Sequence, residues 1–327
     1  MGFRINNYPS IISHLLFHNT KSNKKQQMKT IIIAGGSGFL GQVLESYFSK
    51  KEYEIKILTR SPKRDNEVFW NAKDLGKWTK HLEHADVLIN LTGKSVDCRY
   101  NEKNKKLIYS SRIDSTNALG LAINLCENPP KIWINSSTAT IYRHSLDKEM
   151  DEESGEIGSD FSMNIAKSWE EAFNTIKNPK TRKIIIRTAI VLGKKGGAFI
   201  PLKSLTKFGL GGKQASGNQK VSWIHEEDFA RAIHFLIDSE NATGTFNLSV
   251  PKPTDNNTLM KSLRKAMKIP FGLNHPKWLL NFGAKLIGTE PELVLKSRNV
   301  IPKRLQEKGF TFKFENLNCA LINILHN

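Results

Sequence analysis

The stretch KTIIIAGGSGFLGQVL, residues 29 to 44, restricts what this chain can fold into more than any other part of it. Ile31 to Ile33 are contiguous and β-branched, the pattern of a parallel strand buried on both faces. Val43, Leu44, Tyr47 and Phe48 then recur at helical spacing. Between the two runs stand Gly35, Gly38 and Gly41. In a strand–turn–helix unit the first glycine permits the sharp turn and the second lets the backbone approach a pyrophosphate. The third lets the helix pack close to the strand. The anion rests on the unpaired N–H groups and positive end of the helix. A glycine pattern alone is weak evidence, but this one has the required strand and helix on its two sides. The expectation is a dinucleotide site made by Gly35, Ser37, Gly38, Phe39, Leu40 and Gly41.

YEIKILTRSPKR is the second strand and its exit. An NAD-selective site places Asp or Glu near the end of this strand for the ribose hydroxyls. Here stand Thr59 and Arg60, with Lys63 and Arg64 close behind. A guanidinium at that place stacks on adenine and pairs with a 2′-phosphate, so NADP is expected over NAD. ADVLINLTG, residues 85 to 93, is a further buried strand, and its end puts Leu91, Thr92 and Gly93 beside the adenosine and ribose.

The long helix NEKNKKLIYSSRIDSTNALGLAINLCEN follows, with Leu107, Ile108, Leu119 and Ile123 as its apolar face and Arg112 inside it. KIWINSSTATIY reads as the fifth strand, IGSDFSMNIAKSWEEAFNTIKN as a helix, and KIIIRTAIVLG as the sixth strand. This alternation is a doubly wound parallel sheet of Rossmann type. The rest is mixed: GTFNLSVP is a strand, Thr254 or Asp255 caps a helix, and FTFKF near the end is strand-like. A smaller C-terminal α+β portion is expected to pack on the sheet as a lid or substrate part. WIHEEDF is not a zinc motif, because Phe229 stands where a second histidine would be; no metal site is expected.

The net charge of +18 asks for an anionic partner, and the basic residues are spread along the chain without an arginine-rich arm. A small anionic ligand together with a generally basic proteome accounts for the charge about as well as nucleic acid, which is kept as the minor reading. No apolar run approaches the roughly 20 residues of a membrane helix, so the default is a cytoplasmic protein with no membrane partner. Cys98, Cys126 and Cys319 form no CxxC and suit a reducing compartment. Residues 1 to 27 carry basic and no acidic residues, and the plainer reading is a poorly ordered extension ahead of Met28.

The G-x-x-G-x-x-G spacing, with INLTGKSVDCRYNEKNKKLIYSSRIDSTNAL, SSTATIY, WIHEEDFARAI and TFNLSVPKP, resembles the NAD(P)-dependent epimerase/dehydratase family. More narrowly it resembles the atypical short-chain dehydrogenase/reductase subfamily 39U, the bacterial epimerase family protein group. SRNVIPKRLQEKGFTFKFENLNCAL is similar to that group's small C-terminal domain of unknown function. The resemblance implies an NAD(P)-binding domain over residues 28–250 and the small domain over 275–324. It also implies cofactor contacts at Thr59, Arg60, Leu91, Thr92 and Arg112.

Extended members use Ser/Thr, Tyr and Lys, the last two as Tyr-x-x-x-Lys on the helix after the fifth strand, with tyrosine as acid/base. The hydroxyl is retained and placed at Thr138, but Ser162 and Ala166 stand where Tyr and Lys belong. Lys167 and Tyr142 are nearby substitutes, each also readable as a surface lysine or a packed tyrosine. Tyr47 to Lys51 has the right spacing on the wrong helix. Two functions follow: an NADP-dependent oxidoreductase or epimerase-like enzyme with an unassigned small-molecule substrate, or a non-enzymatic NADP-binding sensor or scaffold. The oligomeric state is open.

Overall fold

The computed structural model describes residues 1–2, 28–288 and 290–326; the expected disordered extension, residues 1–27, lies outside them from residue 3 onward. The chain runs through β1 (Lys29–Ala34), α1 (Phe39–Phe48), β2 (Tyr53–Thr59), β3 (Glu67–Phe69) and β4 (Val87–Asn90). Next come α2 (Glu102–Leu125), β5 (Ile132–Thr138), α3 (Phe161–Thr175), β6 (Arg182–Thr188), β7 (Ile190–Leu192) and α4 (Phe199–Lys207). They are followed by β8 (Lys220–Val221), β9 (Trp223–His225), α5 (Glu226–Asp238), β10 (Gly244–Leu248), β11 (Thr254–Asp255) and α6 (Asn256–Ala266). The end of the chain holds α7 (Lys277–Ile287), α8 (Glu292–Leu295), α9 (Lys303–Glu307) and α10 (Leu317–His326).

Among the described residues, seven strands form one parallel sheet in the order β10-β6-β5-β4-β1-β2-β3. β1 lies between β2 and β4, so the connection reverses direction across the sheet there. That reversal opens a crevice beyond the carboxyl ends of β1 and β4. One face of the sheet packs on α1 and α5 through Leu44, Phe48, Phe229 and Ile233. The other packs on α2 and α3 through Leu119, Ile123, Trp133 and Phe173. Both layers follow from strands that are apolar on both sides, since neither face can be left to water.

Several expectations are corrected. The run KIIIRTAIVLG is two strands, not one: it breaks at Ala189, and β7 leaves the main sheet to pair with β9. β5 stops at Thr138, where the Thr138 hydroxyl accepts the N–H of Thr140 and starts a single 3-10 turn. Leu107 is exposed, so the buried face of α2 is carried by Ile108, Leu119 and Ile123. Asp255, rather than Thr254, caps α6 by accepting the Thr258 N–H at 2.8 Å.

FTFKF forms no strand. Its backbone donors go instead to Asp228, which is fully buried at the start of α5. The N–H groups of Lys313 and Phe314 donate to that carboxylate at 2.9 and 2.8 Å, and Arg231 Nη1 at 2.6 Å. Next to it the His225 ring stacks on Phe314 at 3.9 Å between centroids. His225 Nδ1 accepts the Glu227 N–H, so its proton sits on Nε2 and is donated to Asn323 of α10 at 3.1 Å. WIHEEDF is thus a clasp between α5 and the C-terminal segment, with a carboxylate replacing a strand ladder. Phe314, Leu321 and Ile324 complete the clasp by packing with Phe199, Trp223 and Leu263.

Asp228→Ala leaves those backbone donors buried without an acceptor, and we expect a loss of about 3 kcal/mol in urea unfolding. Hydrogen exchange at the Lys313 and Phe314 amides should rise with it. An unchanged unfolding midpoint would show that the clasp contributes nothing.

Candidate functional site

The glycine turn is built by contact, not by flexibility alone. Gly35 has φ +74°, and a Cβ there would lie 3.0 Å from the Thr92 backbone, so β1's exit touches β4's exit. Gly41 is the tightest: a Cβ would sit 2.2 Å from the Gly36 carbonyl oxygen. The helix therefore packs against the turn itself, not against the strand as its spacing suggested. Gly36, which sequence reasoning passed over, is wedged between Ile33 and Ile57. Gly38 differs from all of these. Its φ of −78° suits any residue, and a Cβ there would meet nothing closer than the Gly35 oxygen at 3.7 Å. Gly38 caps α1 with no side-chain hydrogen bond to the first-turn N–H groups. Exposed Ser37 and Gly38 thus leave an open cradle at a helix N-terminus, with room that a methyl group would fill.

Around the cradle the predicted residues take different parts. Thr59 is buried and donates to Ser37 Oγ at 3.3 Å, tying β2 to the turn. Arg60 is exposed, and its side chain makes no hydrogen bond or ion pair among the described residues. Arg64 is committed elsewhere: its guanidinium bonds Glu45 of α1 at 2.8 Å and Glu67 of β3 at 2.8 Å. Phe39 is half-buried and its ring lies against the Gly193–Gly197 loop, where a Gly196 Cβ would come within 2.5 Å of it. Leu40 packs onto the sheet's core.

At the exit of β4, Thr92 N–H donates to Asn90 Oδ1 at 3.0 Å, while the Thr92 hydroxyl is buried with no hydrogen-bond partner. The Thr188 hydroxyl at the end of β6 is in the same state. Asn90 is fully buried; its amide donates to Asn135 Oδ1 at 2.8 Å and Thr116 Oγ1 at 3.2 Å. Thr116 also accepts from Trp169 Nε1 at 3.0 Å. The Trp169 ring carries the Arg112 guanidinium 5.0 Å above its centroid. Arg112 Nη1 donates to the carbonyls of Lys94 and Ile108, and the guanidinium lies against Gly93, where a Cβ would be 3.0 Å from Cζ. Removal from water pulls its pKa down to about 10, with Tyr100 acting in the opposite direction. Gly93 is glycine because a cation occupies the space.

The catalytic candidates separate. Thr138 ends β5 half-buried, its hydroxyl 3.0 Å from that of Thr140. Ala166 is fully buried among Ala139, Ile141, Tyr142, Met150 and Val300, so the lysine position of the family pattern is apolar core. Lys167 is exposed and lines a surface hollow of about 810 Å³ with Ile157, Glu171 and Lys177, which neither Thr138 nor the glycine turn borders. Tyr142 is a packed tyrosine. Its hydroxyl accepts from Arg187 at 2.8 Å and donates to Asn247 at 3.0 Å. Arg187 in turn forms a two-pronged pair with Glu170 at 2.8 and 2.7 Å. Burial disfavours the Arg187 charge, and the Glu170 carboxylate more than offsets it, leaving its pKa raised. Tyr47 donates to or accepts from His234 Nδ1 at 3.2 Å between α1 and α5, and Lys51 lies 5.7 Å over its ring.

Sequence reasoning missed Tyr100. Its hydroxyl lies 3.5 Å from Ser162 Oγ, beside the tyrosine position of the pattern but reached from the loop before α2. Ser162 donates onward to Glu292 at 2.5 Å, and Tyr100 N–H donates to Glu290 at 2.7 Å. Burial raises the phenol's pKa to about 12, so it holds its proton at neutral pH. No motif signals this residue, because the fold joins positions 100 and 162 only through the packing of the loop on α3. Among the described residues no group of three or more His, Cys, Asp or Glu could hold a metal ion. No helix among the described residues is long and apolar enough to cross a membrane.

Comparison with known proteins agrees with this geometry. Residues 31–249 match the model of the NAD dependent epimerase/dehydratase family, and residues 275–324 match a domain of unknown function. An epimerase family protein of Staphylococcus haemolyticus is 33% identical over 91% of this chain and 99% of its own. One from Staphylococcus aureus strain N315 is 34% identical over the same shares. Among solved structures, the human epimerase family protein SDR39U1 (isoform 2) with NADPH is similar with a TM-score of 0.84. It is 27% identical, over 91% of this chain and 99% of that one. A UDP-N-acetylglucosamine 4-epimerase from Bacillus cereus, 18% identical with a TM-score of 0.73, shares the fold. A Rossmann-type sheet, an open glycine cradle at the switch point and a small C-terminal unit are joined in one molecule, and this chain belongs to the NAD dependent epimerase/dehydratase family.

Proposed function

We propose that this chain is an NADP-dependent oxidoreductase or epimerase-like enzyme of the cytoplasm, acting on a carbonyl or alcohol carbon of a small molecule. The observation that carries the cofactor choice is the exit of β2. No carboxylate stands there to receive ribose hydroxyls, and Arg60 extends with no partner among the described residues. The cofactor fits the residues present: the cradle at Gly38 is open, and the buried Thr92 hydroxyl lacks a partner. The human relative solved with NADPH supports the same choice. Bound there, the cofactor supplies or accepts a hydride.

The chain's own groups then have distinct tasks. The first-turn N–H groups of α1 face the pyrophosphate, and Arg60 meets the 2′-phosphate. Thr138 offers a hydroxyl to the reacting oxygen. Tyr100, protonated at neutral pH, would turn its single phenolic proton from Ser162 to the reacting oxygen, in the role of the absent tyrosine of the family pattern. Lys167 opens onto the separate hollow and is assigned no step. One observation favours the second reading, a sensor without chemistry: Ala166 buries an apolar side chain where the lysine of the family pattern would stand.

Three outcomes test these assignments. Arg60→Ala should erase most of the preference for NADPH over NADH in a fluorescence titration, costing about 1.5–3 kcal/mol in NADPH binding. Equal affinities in the parent protein would refute the NADP choice. Gly38→Ala should leave the melting temperature unchanged, because its methyl meets nothing, yet weaken NADPH binding about tenfold or more by filling the cradle. Binding as tight as the parent's would place the pyrophosphate elsewhere. Thr138→Val and Tyr100→Phe should each lower kcat about a hundredfold on any carbonyl substrate found, with NADPH affinity preserved. If a broad carbonyl and alcohol panel is untouched while NADPH binds tightly, the sensor reading replaces the enzyme.

A further inference from the structure

The net charge of +18 is concentrated, although the basic residues run throughout the chain. Residues 172–225 and 256–289 contain no Asp or Glu, and these stretches supply α4, α6 and α7. Phe199 and Leu202 of α4 share a buried cluster with Leu263 and Ala266 of α6, which joins those two helices. The segment after α4 pairs with the segment before α7. Leu273 N–H donates to Gly209 at 2.9 Å, Gly212 N–H to Leu273 at 3.1 Å, and His275 N–H to Lys213 at 2.9 Å. The Phe271 ring lies directly on Gly209. The end of α4, the two paired segments and the start of α7 are therefore continuous.

Large apolar side chains project from this region. Phe208 is 76% exposed, Trp278 69%, Phe271 63%, Leu273 61% and Phe282 58%. Trp278 and Phe282 are one helical turn apart and share a face of α7. Lys207, Lys213, Lys265, Lys268, Lys277 and Lys285 are also exposed here, and none of their ammonium groups has an ion pair among the described residues. By contrast the acidic helix start of α5 and the loop at Arg143 pair their charges. Apolar area this large is uncommon on a surface without a partner, and unpaired cations around it repel one another.

A partner that relieves both must be anionic at its surface and apolar just beneath. We propose that this face docks on an anionic lipid bilayer. Trp278 and Phe282 enter the boundary between headgroups and acyl chains, and the lysines rest on phosphate headgroups. Nucleic acid would answer the charge but leave Leu273 and Phe208 in water. A small substrate is too small to cover both sets. No contiguous run of the sequence carries this surface, since it is assembled from stretches more than sixty residues apart.

The test is co-sedimentation of the full chain with phosphatidylcholine vesicles, with and without phosphatidylglycerol. Binding is expected only with the anionic lipid, and brominated acyl chains should quench tryptophan emission. Combining Lys265→Glu, Lys277→Glu and Lys285→Glu should weaken binding roughly a hundredfold. Combining Lys50→Glu, Lys73→Glu and Lys80→Glu makes the same change in net charge on other elements and should cost less than about threefold, since screened charges act only near the surface. Trp278→Ala with Phe282→Ala should cost about tenfold. Melting curves and NADPH affinity of every variant confirm folding. The proposal is overturned if anionic vesicles do not bind, if no quenching occurs, if both lysine sets cost the same, or if the aromatic variant binds normally. Tighter binding to a single-stranded RNA, lost in the same lysine variant, would make the face a nucleic-acid surface instead.

Discussion

Everything at the candidate site depends on how closely α1 approaches the turn that precedes it. With Gly41 two ångströms of virtual side chain from the Gly36 carbonyl, the helix axis is pinned to the turn backbone, and its first N–H groups are pinned with it. The same compression sets Gly35 against Thr92 and so brings the exits of β1 and β4 together. A dinucleotide crevice is what remains when two strand ends meet and the helix start above them stays open. Bulk at Gly35, Gly36 or Gly41 would separate these parts, whereas a methyl group at Gly38 would meet nothing closer than the Gly35 oxygen at 3.7 Å.

The second constraint is polar and buried. Asn90 at β4, Asn135 at β5 and Thr116 on α2 satisfy one another, and Trp169 extends that set to the platform under Arg112. On the far side, Ser137, Glu170, Arg187, Tyr142 and Asn247 form another set. A network of this kind becomes costly in a low-dielectric interior once any member loses its partner, so each member restricts the others. Arg112 is held in place by the first set, and the Tyr142 hydroxyl is occupied by Arg187 and Asn247 in the second. The position that should hold lysine became apolar core, and a phenol from the loop before α2 stands beside the position that should hold tyrosine.

The C-terminal portion joins the sheet through side chains in place of strand pairing. Asp228 accepts from the backbone of the segment that looked like a strand, and His225 bonds α10. FTFKF has a strand's composition, but a buried carboxylate offered its N–H groups a charged acceptor, and the charged acceptor won. The lone Asp in WIHEEDF carried no sign of this, since the backbone N–H groups it accepts from lie more than eighty residues away.

The sequence alone determined the sheet, the order of its first strands, the turn and its ligand class. These are local matters: β-branched runs, helical spacing and glycine at fixed offsets act within about twenty residues, and their physics does not wait for the rest of the chain. The absence of an acid after β2 was legible for the same reason. Only the tertiary structure decided which arginine there is free, because Arg64 is taken by Glu45 and Glu67 while Arg60 is not. It also decided that Tyr142 is structural and that Tyr100 meets Ser162. Each of those depends on which distant side chains come within a few ångströms, and spacing along a chain carries no such distance.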